Sequence, residues 1–392
     1  MPKPKHVHLI SFDIPCPANY GGVIDVFYKV QALYNEGVKV HLHCYEYGRE
    51  HSEKLEAMCH ETHYYPRKVG RNNLFKRRPY IVVSRNSSEL IDRLKADDHP
   101  IIFEGVHCCY YLAHPDLKDR TRILRSHNIE HEYYWNLAEA EPNVFKRLYF
   151  QNEAAKLERF EEELEHATAV AAISSPDAAY FRKRFPEMEV AHVSAFHAHL
   201  DVRSLEGRGS YVLYHGNLGV SENHRAAMYL INEVFLDIKI PFVIAGSDAQ
   251  PDLVQAVADH EHIRLENNVP TERIEDLIQG AHVNVLPTFQ ATGIKLKLLS
   301  ALYLGRHCLV NPPMVEGTGL EGLCHIAKDG EGFKAQIQEL MMEPFALDPV
   351  REEVLEAQFS NRATLRSLWP LLFEDPLPVH SHTLEYAREI CE

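Results

Sequence analysis

The sequence predicts an α/β protein built from two Rossmann-like, doubly wound domains with parallel sheets. The chain has 392 residues, which is too long for one ordinary hydrophobic core and suits two domains of roughly 150 to 200 residues each. Apolar, strand-like runs alternate with helical segments in the first half. The same alternation begins again in the second half, after a stretch without periodicity. The composition, with 45% hydrophobic and 25% charged residues, is typical of a globular protein.

The first half opens with a βαβ pattern. Segment 6–15 has the apolar density of a buried parallel strand, and a polar turn with two glycines follows it. Segment 23–37 places its apolar residues on one helical face and ends at Gly37, a typical helix stop. A strand over 38–45 completes the unit, which winds right-handed into a parallel sheet. The apolar face consists of Val23, Val26, Phe27, Val30, Leu33 and Tyr34, and further strands are expected at 101–107, 121–128 and 169–175.

A second βα series follows segment 192–210, which has no periodicity and predicts a linker. Its strands are expected at 211–216, 241–247, 263–269 and 282–288. We therefore expect an N-terminal domain over residues 1–198, a C-terminal domain over 199–360, and a helical segment over 361–392 that crosses back to the first domain. Sheets of this kind bind ligands outside the carboxyl ends of their strands, so a cleft between the domains is the expected site.

Two turns have the sequence of an anion site. Gly21 and Gly22 lie between the first strand and its helix, where N–H groups without helical partners meet the positive end of the helix dipole. The second half contains a similar turn followed by two lysines: Thr292, Gly293, Lys295 and Lys297. Each turn alone is equally typical of a tight βα connection. Together they favour one ligand with a diphosphate, because glycine lets the backbone approach closely and lysine neutralises charge.

Other kinds of site find less support. The one GxGxxG motif, residues 317–322, precedes a short strand rather than a helix, which argues against a dinucleotide site. The chain has 25 histidines, but those in 107–114 and 260–264 lack metal-ligand spacing on a supporting helix. We therefore expect no metal site and no bound cofactor. The net charge of −15 argues against general nucleic-acid binding.

Six stretches occur along the chain in an informative order. The first half contains PANYGGVIDVFYKVQALYNEGVKV and LRSHNIEHEYYWNLAEAE, and the second contains YHGNLGVSENHRAA, FVIAGSD, NNVPTERIEDLIQGAHVNVLPT and GIKLKLLSALYLGRHCLV. In this order they resemble GT-B glycosyltransferases, and glycosyltransferase family 4 in particular, over roughly residues 7 to 330. The resemblance implies transfer of a sugar from a nucleotide-diphosphate sugar, of UDP or GDP type, without a bound metal.

The same resemblance implies a set of donor-binding residues. They are Gly21, Gly22, Gly216, Asn217, Val269, Thr292, Gly293, Lys295, Lys297 and Ser300. The backbone of Val269 would contact the base, the amides of Thr292 and Gly293 would contact the diphosphate, and Lys297 would neutralise its charge. Stabilising a diphosphate leaving group is the main catalytic task when no metal is present.

One departure from the family pattern concerns two carboxylates. Many members carry two glutamates eight positions apart, where this chain has Thr292 and Ser300. The Ser300 hydroxyl would still be able to hydrogen-bond a ribose hydroxyl, although more weakly than a carboxylate. The departure leaves the donor's identity open and admits a non-catalytic homologue.

Three residues of the first half are catalytic candidates. His127 matches a histidine that lies near the donor sugar in the family, and Glu104 ends an apolar strand, which would direct its carboxylate into the cleft. Asp25 follows the glycine turn within the first helical turn. The alternatives are a capping or buried histidine, a salt-bridged structural acid and a partner of the helix dipole. The resemblance favours a retaining transfer over an inverting one, which needs a general base.

The acceptor is expected to be a glycan or a lipid-linked intermediate. Segment 67–80 carries six basic residues among Leu74, Phe75 and Tyr80, which predicts contact with anionic lipid or a phosphorylated acceptor, or else a solvated loop. No apolar run is long enough for a membrane span or a secretory signal. We expect a cytoplasmic protein, with peripheral contact at the inner face of a membrane. A nucleotide-sugar epimerase or hydrolase of the same architecture and a non-catalytic sugar-nucleotide-binding protein are the alternative functions.

Overall fold

The computed structural model describes residues 4–289 and 296–378. The chain divides into two compact units, which we call unit 1 (residues 1–198 and 361–392) and unit 2 (residues 199–360). Each unit has its own sheet and its own hydrophobic core. None of the described helices combines the length and the apolar character that a membrane span requires.

Unit 1 contains a seven-stranded sheet of order β3-β2-β1-β4-β5-β6-β7, in which every pairing is parallel. Its strands are β1 (His6–Ser11), β2 (Lys39–Glu46), β3 (Glu61–Pro66), β4 (Ile101–Glu104), β5 (Arg122–Ser126), β6 (Ala169–Ala172) and β7 (Glu189–His192). Its first helices are α1 (Gly21–Asn35), α2 (Glu53–Met58), α3 (Tyr80–Val83), α4 (Ser88–Leu94), α5 (Glu130–Ala140), α6 (Val144–Phe160) and α7 (Ser175–Arg184). Short 3₁₀ helices span Arg71–Phe75, Val106–Tyr111, Pro115–Leu117 and Glu161–His166.

The sequence pattern of helix α1 explains how it packs on this sheet. Val23, Val26 and Val30 are fully buried, as the apolar face requires. Tyr34, expected on the same face, is 37% exposed at the end of the helix. Gly37 adopts a φ of +76°, a conformation that favours glycine and that closes the helix as predicted.

Unit 2 contains a six-stranded parallel sheet of order β10-β9-β8-β11-β12-β13. Its strands are β8 (Val212–Asn217), β9 (Phe242–Ser247), β10 (Ile263–Asn267), β11 (Val283–Leu286), β12 (His307–Val310) and β13 (His325–Ile326). Its helices are α8 (Ser221–Tyr229), which continues as a π-helical stretch (Leu230–Phe235), α9 (Pro251–Ala258), α10 (Thr271–Gly280), α11 (Leu296–Leu304), α12 (Pro312–Val315), α13 (Gly330–Met342) and α14 (Pro349–Gln358), with a 3₁₀ turn at Glu321–Leu323.

The last described helix, α15 (Asn361–Leu372), belongs to unit 1. Leu368 and Trp369 are at most 1% exposed and lie in the core of that unit. The indole N–H of Trp369 donates to the Asp375 carbonyl oxygen (2.8 Å). At the start of the helix, the side chain of Asn361 exchanges two hydrogen bonds with the backbone of His197 (2.9 and 2.8 Å). These contacts hold the helix on the domain in which the chain began.

Both sheets are doubly wound, and the strand order reverses at one point in each. Strand β1 lies between β2 and β4, and β8 lies between β9 and β11. Connections on either side of such a point run to opposite faces of the sheet, which leaves room at the carboxyl ends of the two central strands. In unit 1, Phe12 after β1 contacts His107 after β4. In unit 2, Thr288 after β11 donates to Glu222 in the first turn of α8, which follows β8.

Strands β8 and β9 approach closely where two glycines pair. Gly216 and Gly246 are partners in register, and a Cβ atom on Gly246 would lie 1.8 Å from the Gly216 carbonyl oxygen. A side chain does not fit there without movement of the backbone.

We predict that Gly246→Ala lowers the free energy of unfolding by roughly 1 to 3 kcal/mol or more, because it overpacks the strand pair. The matched control is Gly322→Ala, since a Cβ there meets nothing within 4 Å; its effect should stay within about 0.5 kcal/mol. Urea denaturation of both variants measures the difference. Equal effects would contradict the close approach of the strands.

Candidate functional site

The glycine turn after β1 presents an open helix start. Helix α1 begins at Gly21, and its N-cap residue, Tyr20, makes no side-chain capping bond. A Cβ on Gly21 would meet nothing within 4 Å, whereas one on Gly22 would lie 2.7 Å from the ring of Phe12. The ring of Phe12 therefore occupies the space that a side chain at position 22 would need, whereas the space beside position 21 is open. The first N–H groups of the helix and its dipole make this a place for an anion.

The ring of Phe12 connects this turn with the histidine that the sequence singled out. Its centroid lies 5.8 Å from that of His127, in an edge-on arrangement, and 5.5 Å from that of His107. Gly22 touches the same ring. The glycine turn and His127 thus occupy one region, at the carboxyl ends of β1 and β5.

Behind His127 lies a group of five charged residues, which we call the buried charge cluster: Asp25, Lys29, Glu104, Arg125 and His127. The side chains of the first four are fully buried, and that of His127 is 12% exposed. The Lys29 ammonium donates to Asp25 (2.9 Å) and to Glu104 (2.6 Å). The Arg125 guanidinium donates to both oxygens of Asp25, at 2.8 and 3.0 Å.

His127 bridges the two carboxylates from the exposed side of the cluster. Its Nε2 atom lies 3.1 Å from Glu104 Oε2 and 3.4 Å from Asp25 Oδ2. Burial opposes the charged form of His127, but the hydrogen bonds to Asp25 and Glu104 outweigh it and raise the pKa of the imidazole. The site therefore presents a protonated histidine over a wider pH range than free histidine provides.

The cations of the cluster keep both carboxyl groups ionised. Burial alone would raise the pKa of Asp25, but Arg125 and Lys29 hold it well below its usual range. Burial likewise opposes ionisation of Glu104, and the charge of Lys29 together with the bond from His127 lowers its pKa. Asp25 also accepts the backbone N–H of Phe196 (2.9 Å), which ties the segment after β7 to the cluster.

These contacts refine the expectations for the two acids. Glu104 ends β4 as predicted, but its side chain is fully buried against Lys29 and does not lie open at the strand end. Asp25 on α1 is paired with Arg125 on β5, so it is more than a partner of its own helix dipole. Both acids hold His127 in position and favour its protonated form, whereas His127 itself is partly exposed to solvent.

The oxygen and nitrogen atoms of Asp25, Glu104 and His127 lie within 4.8 Å of one another, a spacing that metal ligands also have. Here the Lys29 ammonium lies within hydrogen-bonding distance of both carboxylates. A cation is thus already built into the chain at this position, and the donor set does not fit a further metal ion.

Sequence reasoning missed Lys29 and Arg125. A signal for Lys29 was present, because it lies three positions after Val26 on the apolar face of α1, where a charge needs a buried partner. Arg125 interrupts the apolar strand β5 in the same way. Neither signal identifies the partner.

Glu130, at the start of α5, is another residue that the sequence analysis did not select. It is 4% exposed, and burial raises the pKa of its carboxyl group to about 7. Its Oε1 atom lies 3.9 Å from His107 Nδ1. A carboxyl group that titrates near neutral pH is suited to proton transfer.

In unit 2, Lys297 lies in the first turn of α11, and its side chain contacts strand β8 and the first turn of α8. Its ammonium donates to the side-chain oxygen of Asn223 (2.8 Å) and to the Tyr214 hydroxyl (3.3 Å). Asn223 in turn donates to the Asn217 carbonyl oxygen (2.9 Å). Lys297 is therefore held at the point where the strand order of this sheet reverses, beside the predicted Gly216 and Asn217.

Val269 lies in the loop that follows β10. The preceding residue, Asn268, has a φ of +56° and donates its backbone N–H to the Gly246 carbonyl oxygen (2.7 Å). Its side-chain oxygen accepts the N–H of Asp248 (2.9 Å). These bonds fix the loop, so the backbone of Val269 is presented at the carboxyl edge of the sheet.

The hydroxyl group of Ser300 already takes part in hydrogen bonds within unit 2. It donates to the Leu296 carbonyl oxygen (3.2 Å) and lies 2.9 Å from His199 Nε2. His199 is 6% exposed and stacks on Tyr303. A ribose hydroxyl at this place would share Ser300 with His199. Three of the predicted donor residues, Thr292, Gly293 and Lys295, lie outside the described residues.

Comparison with known sequences does not assign the chain to a family. No family model matches it. A protein from Klebsiella pneumoniae, described as an uncharacterized 44.6 kDa protein in cps region, is 25% identical over 336 residues, which cover 79% of this chain and 84% of that protein.

Comparison with solved structures is more informative about the fold. The lipopolysaccharide outer core galactosyltransferase WaaB has a TM-score of 0.62 at 13% identity, covering 94% of this chain and 99% of that one. TarM has a TM-score of 0.62 at 10% identity, covering 94% and 98%. Anabaena HepE, solved with UDP and glucose, has a TM-score of 0.59 at 11% identity, covering 93% and 99%. The fold is that of GT-B glycosyltransferases, which confirms the predicted fold class; membership of family 4 stays a prediction.

The raised pKa of His127 gives a pH-dependent prediction. A group whose pKa is higher in the folded state stabilises the fold fully below its unfolded pKa of 6.5, and this contribution is lost as the pH rises through the folded pKa. His127→Gln should therefore lower the free energy of unfolding more at pH 6 than at pH 9. Denaturant titrations at both pH values measure this, with His166→Gln, at an exposed position, as the control. An equal loss at both pH values would show that His127 is not held charged by its neighbours.

Proposed function

We propose that this protein is a glycosyltransferase that uses a nucleotide-diphosphate sugar. The bond from the anomeric carbon of the sugar to the donor phosphate breaks, and a new bond forms to an acceptor hydroxyl oxygen. The nucleotide diphosphate leaves with the bonding electrons, and the acceptor's proton is released. The observation that carries the proposal is the GT-B fold, with polar and cationic side chains at the strand-order reversal of each sheet.

Lys297 is the residue we assign to the donor diphosphate. It is the cation held at the carboxyl edge of β8, and an ammonium group is a strong partner for phosphate oxygens. Nearby, burial and the charge of Lys297 lower the pKa of His215 to about 3, so that histidine is neutral. Lys297 thus supplies positive charge for the leaving group. Anabaena HepE was solved with UDP and Medicago truncatula UGT71G1 with UDP-glucose, which supports a uridine nucleotide as the first donor to test.

We assign His127 to the donor sugar, with the open helix start at Gly21 beside it. The protonated imidazole and the first N–H groups of α1 suit the negative charge that develops on the leaving phosphate. With lysine, histidine and amide groups in this role, the reaction we propose uses no metal ion. This assignment makes Glu104 and Asp25 positioning residues, because they act through His127.

We propose a retaining transfer. An inverting transfer needs a base that accepts the proton of the acceptor hydroxyl. Asp25 and Glu104 are fully buried and already paired with Arg125 and Lys29, so neither is placed for that task. Glu130, whose carboxyl pKa is raised to about 7, is the candidate base on which an inverting reaction would depend. Replacing it therefore tests the proposal. The anomeric configuration of the product, read by NMR, decides between the two outcomes, and full turnover of Glu130→Gln would agree with retention.

For the acceptor, we propose a glycan or a lipid-linked intermediate. WaaB is described as a lipopolysaccharide outer core galactosyltransferase, and the Klebsiella relative is described as a protein in the cps region. The 67–80 segment supports contact with a membrane surface: Phe75 is 88% exposed, with exposed Lys76 and Arg77 beside it. Arg78, by contrast, forms an ion pair with Glu163 (2.6 Å), so we assign it a structural role and not a membrane contact.

The first test concerns the donor. UDP and GDP should raise the melting temperature of the protein, one of them more strongly, because a ligand of the native state stabilises it by mass action. Lys297→Met should weaken binding of that nucleotide roughly 10- to 100-fold, since hydrogen bonds to charged groups contribute about 1.5 to 3 kcal/mol. Isothermal titration calorimetry measures the affinity.

Lys239→Met, which removes an exposed lysine of the same unit, is the matched control and should bind as the unchanged protein does. A donor sugar incubated without acceptor should yield little free sugar or epimer. Rapid donor hydrolysis or epimerisation would instead identify the alternative enzyme classes. Binding without turnover across several acceptors would favour a non-catalytic protein.

The second test concerns the membrane surface. Phe75→Ser combined with Arg77→Gln should weaken binding to vesicles containing anionic lipid by about fivefold or more, because one basic residue near such a surface contributes about 1 kcal/mol. Arg366→Gln, at an exposed position on α15, controls for the loss of charge elsewhere. Cosedimentation at low salt measures binding, and unchanged binding would remove the membrane contact from the proposal.

A further inference from the structure

Seven histidines gather on one face of strands β1, β2 and β3, from the amino-terminal edge of the sheet to the middle of β2, or in the loops beside that edge. They are His6, His8, His41, His43, His60, His63 and His99. This edge lies at the opposite end of the same strands from the glycine turn and the buried charge cluster, roughly 16 Å away along the six residues of β1. The proposed sugar transfer makes no use of these residues.

Register explains why the rings meet. His8 pairs with His41 between β1 and β2, and His43 pairs with His63 between β2 and β3. Histidines two positions apart on a strand point to the same face. Neighbouring strands therefore stack imidazoles in a row, with centroids 4.7 Å apart for His8 and His41.

Three of these rings bring their nitrogen atoms together. His6 Nδ1 lies 2.9 Å from His41 Nε2. One nitrogen atom each of His6, His41 and His99 lies within 4.8 Å of the other two. We propose that His6, His41 and His99 bind a divalent transition-metal ion of the zinc class. Imidazole nitrogens suit Zn²⁺, Cu²⁺ and Ni²⁺. Two nitrogens of a tetrahedral zinc site are about 3.3 Å apart, and the His6–His41 pair, at 2.9 Å, is close to that distance.

The surrounding residues hold the ring of His41 and the loop that carries His99 in place. Glu61 Oε2 lies 3.4 Å from His41 Nδ1, the nitrogen that faces away from His6. A hydrogen-bond acceptor on the second nitrogen, such as a carboxylate, fixes the tautomer and orientation of a metal-binding histidine. On the other side, Asp97 accepts the backbone N–H of His99 (3.0 Å), and Arg120 donates to the His99 carbonyl oxygen (3.0 Å). The loop that carries His99 is thus fixed before any ion binds.

Solvent reaches the site, so an ion has an entry path. The side chain of His99 is 31% exposed and that of Glu61 is 51% exposed, while that of His41 is only 10% exposed. The ring of His60 lies edge-on to both His6 and His41, with centroids 5.4 and 5.1 Å away. A water molecule or His60 completes the fourth position.

Equilibrium dialysis of the full chain against Zn²⁺ alone tests the proposal. We expect one tightly bound ion and a higher melting temperature, since a metal that binds only the folded state stabilises it. His6→Gln and His99→Gln should each lower the affinity at least tenfold, because even residues behind the ligands contribute 10- to 100-fold. Co²⁺ provides a second readout, as the absorption of a tetrahedral site should vanish in the double variant.

His114→Gln is the matched control. Its side chain is also 31% exposed, and its Nδ1 atom lies 3.9 Å from an aspartate oxygen, as in His99. This variant and His127→Gln should bind Zn²⁺ as the unchanged protein does. Zinc binding that survives in the double variant, or that is lost with His127→Gln instead, would overturn the proposal. So would the failure of the unchanged protein to bind Zn²⁺ in dialysis.

Discussion

Asp25 and the four charged groups around it connect the parts of unit 1 that form the candidate site. Asp25 belongs to α1, and its carboxylate accepts hydrogen bonds from Lys29 on the same helix, from Arg125 on β5 and from the backbone of Phe196. Lys29 extends the network to Glu104 on β4. Removing one partner of a buried ion pair leaves an unpaired charge in the interior, which costs about 3 to 5 kcal/mol. The helix, two central strands and the segment after β7 are thus held in one arrangement.

The same cluster determines the electrostatics of the open side. When His127 is protonated, three cations (Lys29, Arg125 and His127) face two carboxylates, so the net charge is 3 − 2 = +1. This charge lies beside the first turn of α1, where the helix dipole is also positive. An anionic group bound there would be attracted by both the net charge of the cluster and the dipole of α1. Unit 2 also has a positive charge at the strand-order reversal of its sheet. There Lys297 is hydrogen-bonded to Asn223, and the nearby His215 is kept neutral mainly by burial.

The two ends of the first sheet serve different chemistry. At the carboxyl edge, opposite charges are paired and excluded from water. Towards the amino-terminal edge, imidazole rings from neighbouring strands stack on one another. The charged cluster has one cation more than it has carboxylates and therefore favours an anion, whereas the nitrogen atoms of the imidazole rings suit a metal ion. One sheet supports both because its strand ends are separated by the strand length.

The amino-acid sequence by itself predicted the alternation of strands and helices in both halves, because strands buried on both faces must be apolar throughout and helices must be apolar on one face. Strands β3, β7 and β12 were not expected from it. It also pointed to Gly22, Glu104 and His127, since residues at the carboxyl ends of parallel strands meet at one edge. The periodicity of apolar residues indicates whether a position is buried, but it does not indicate which residues that position contacts.

Only the tertiary structure decided which charges meet. Lys29 and Arg125 lie far apart in the sequence, and both bind Asp25 because β5 pairs with β4 and Lys29 on α1 reaches Glu104 at the end of β4. In the same way, strand pairing brings His6 and His41, 35 positions apart, to within 2.9 Å. A long-range contact depends on the register of the whole sheet, and that register is the sum of many packing interactions that no local stretch of sequence contains.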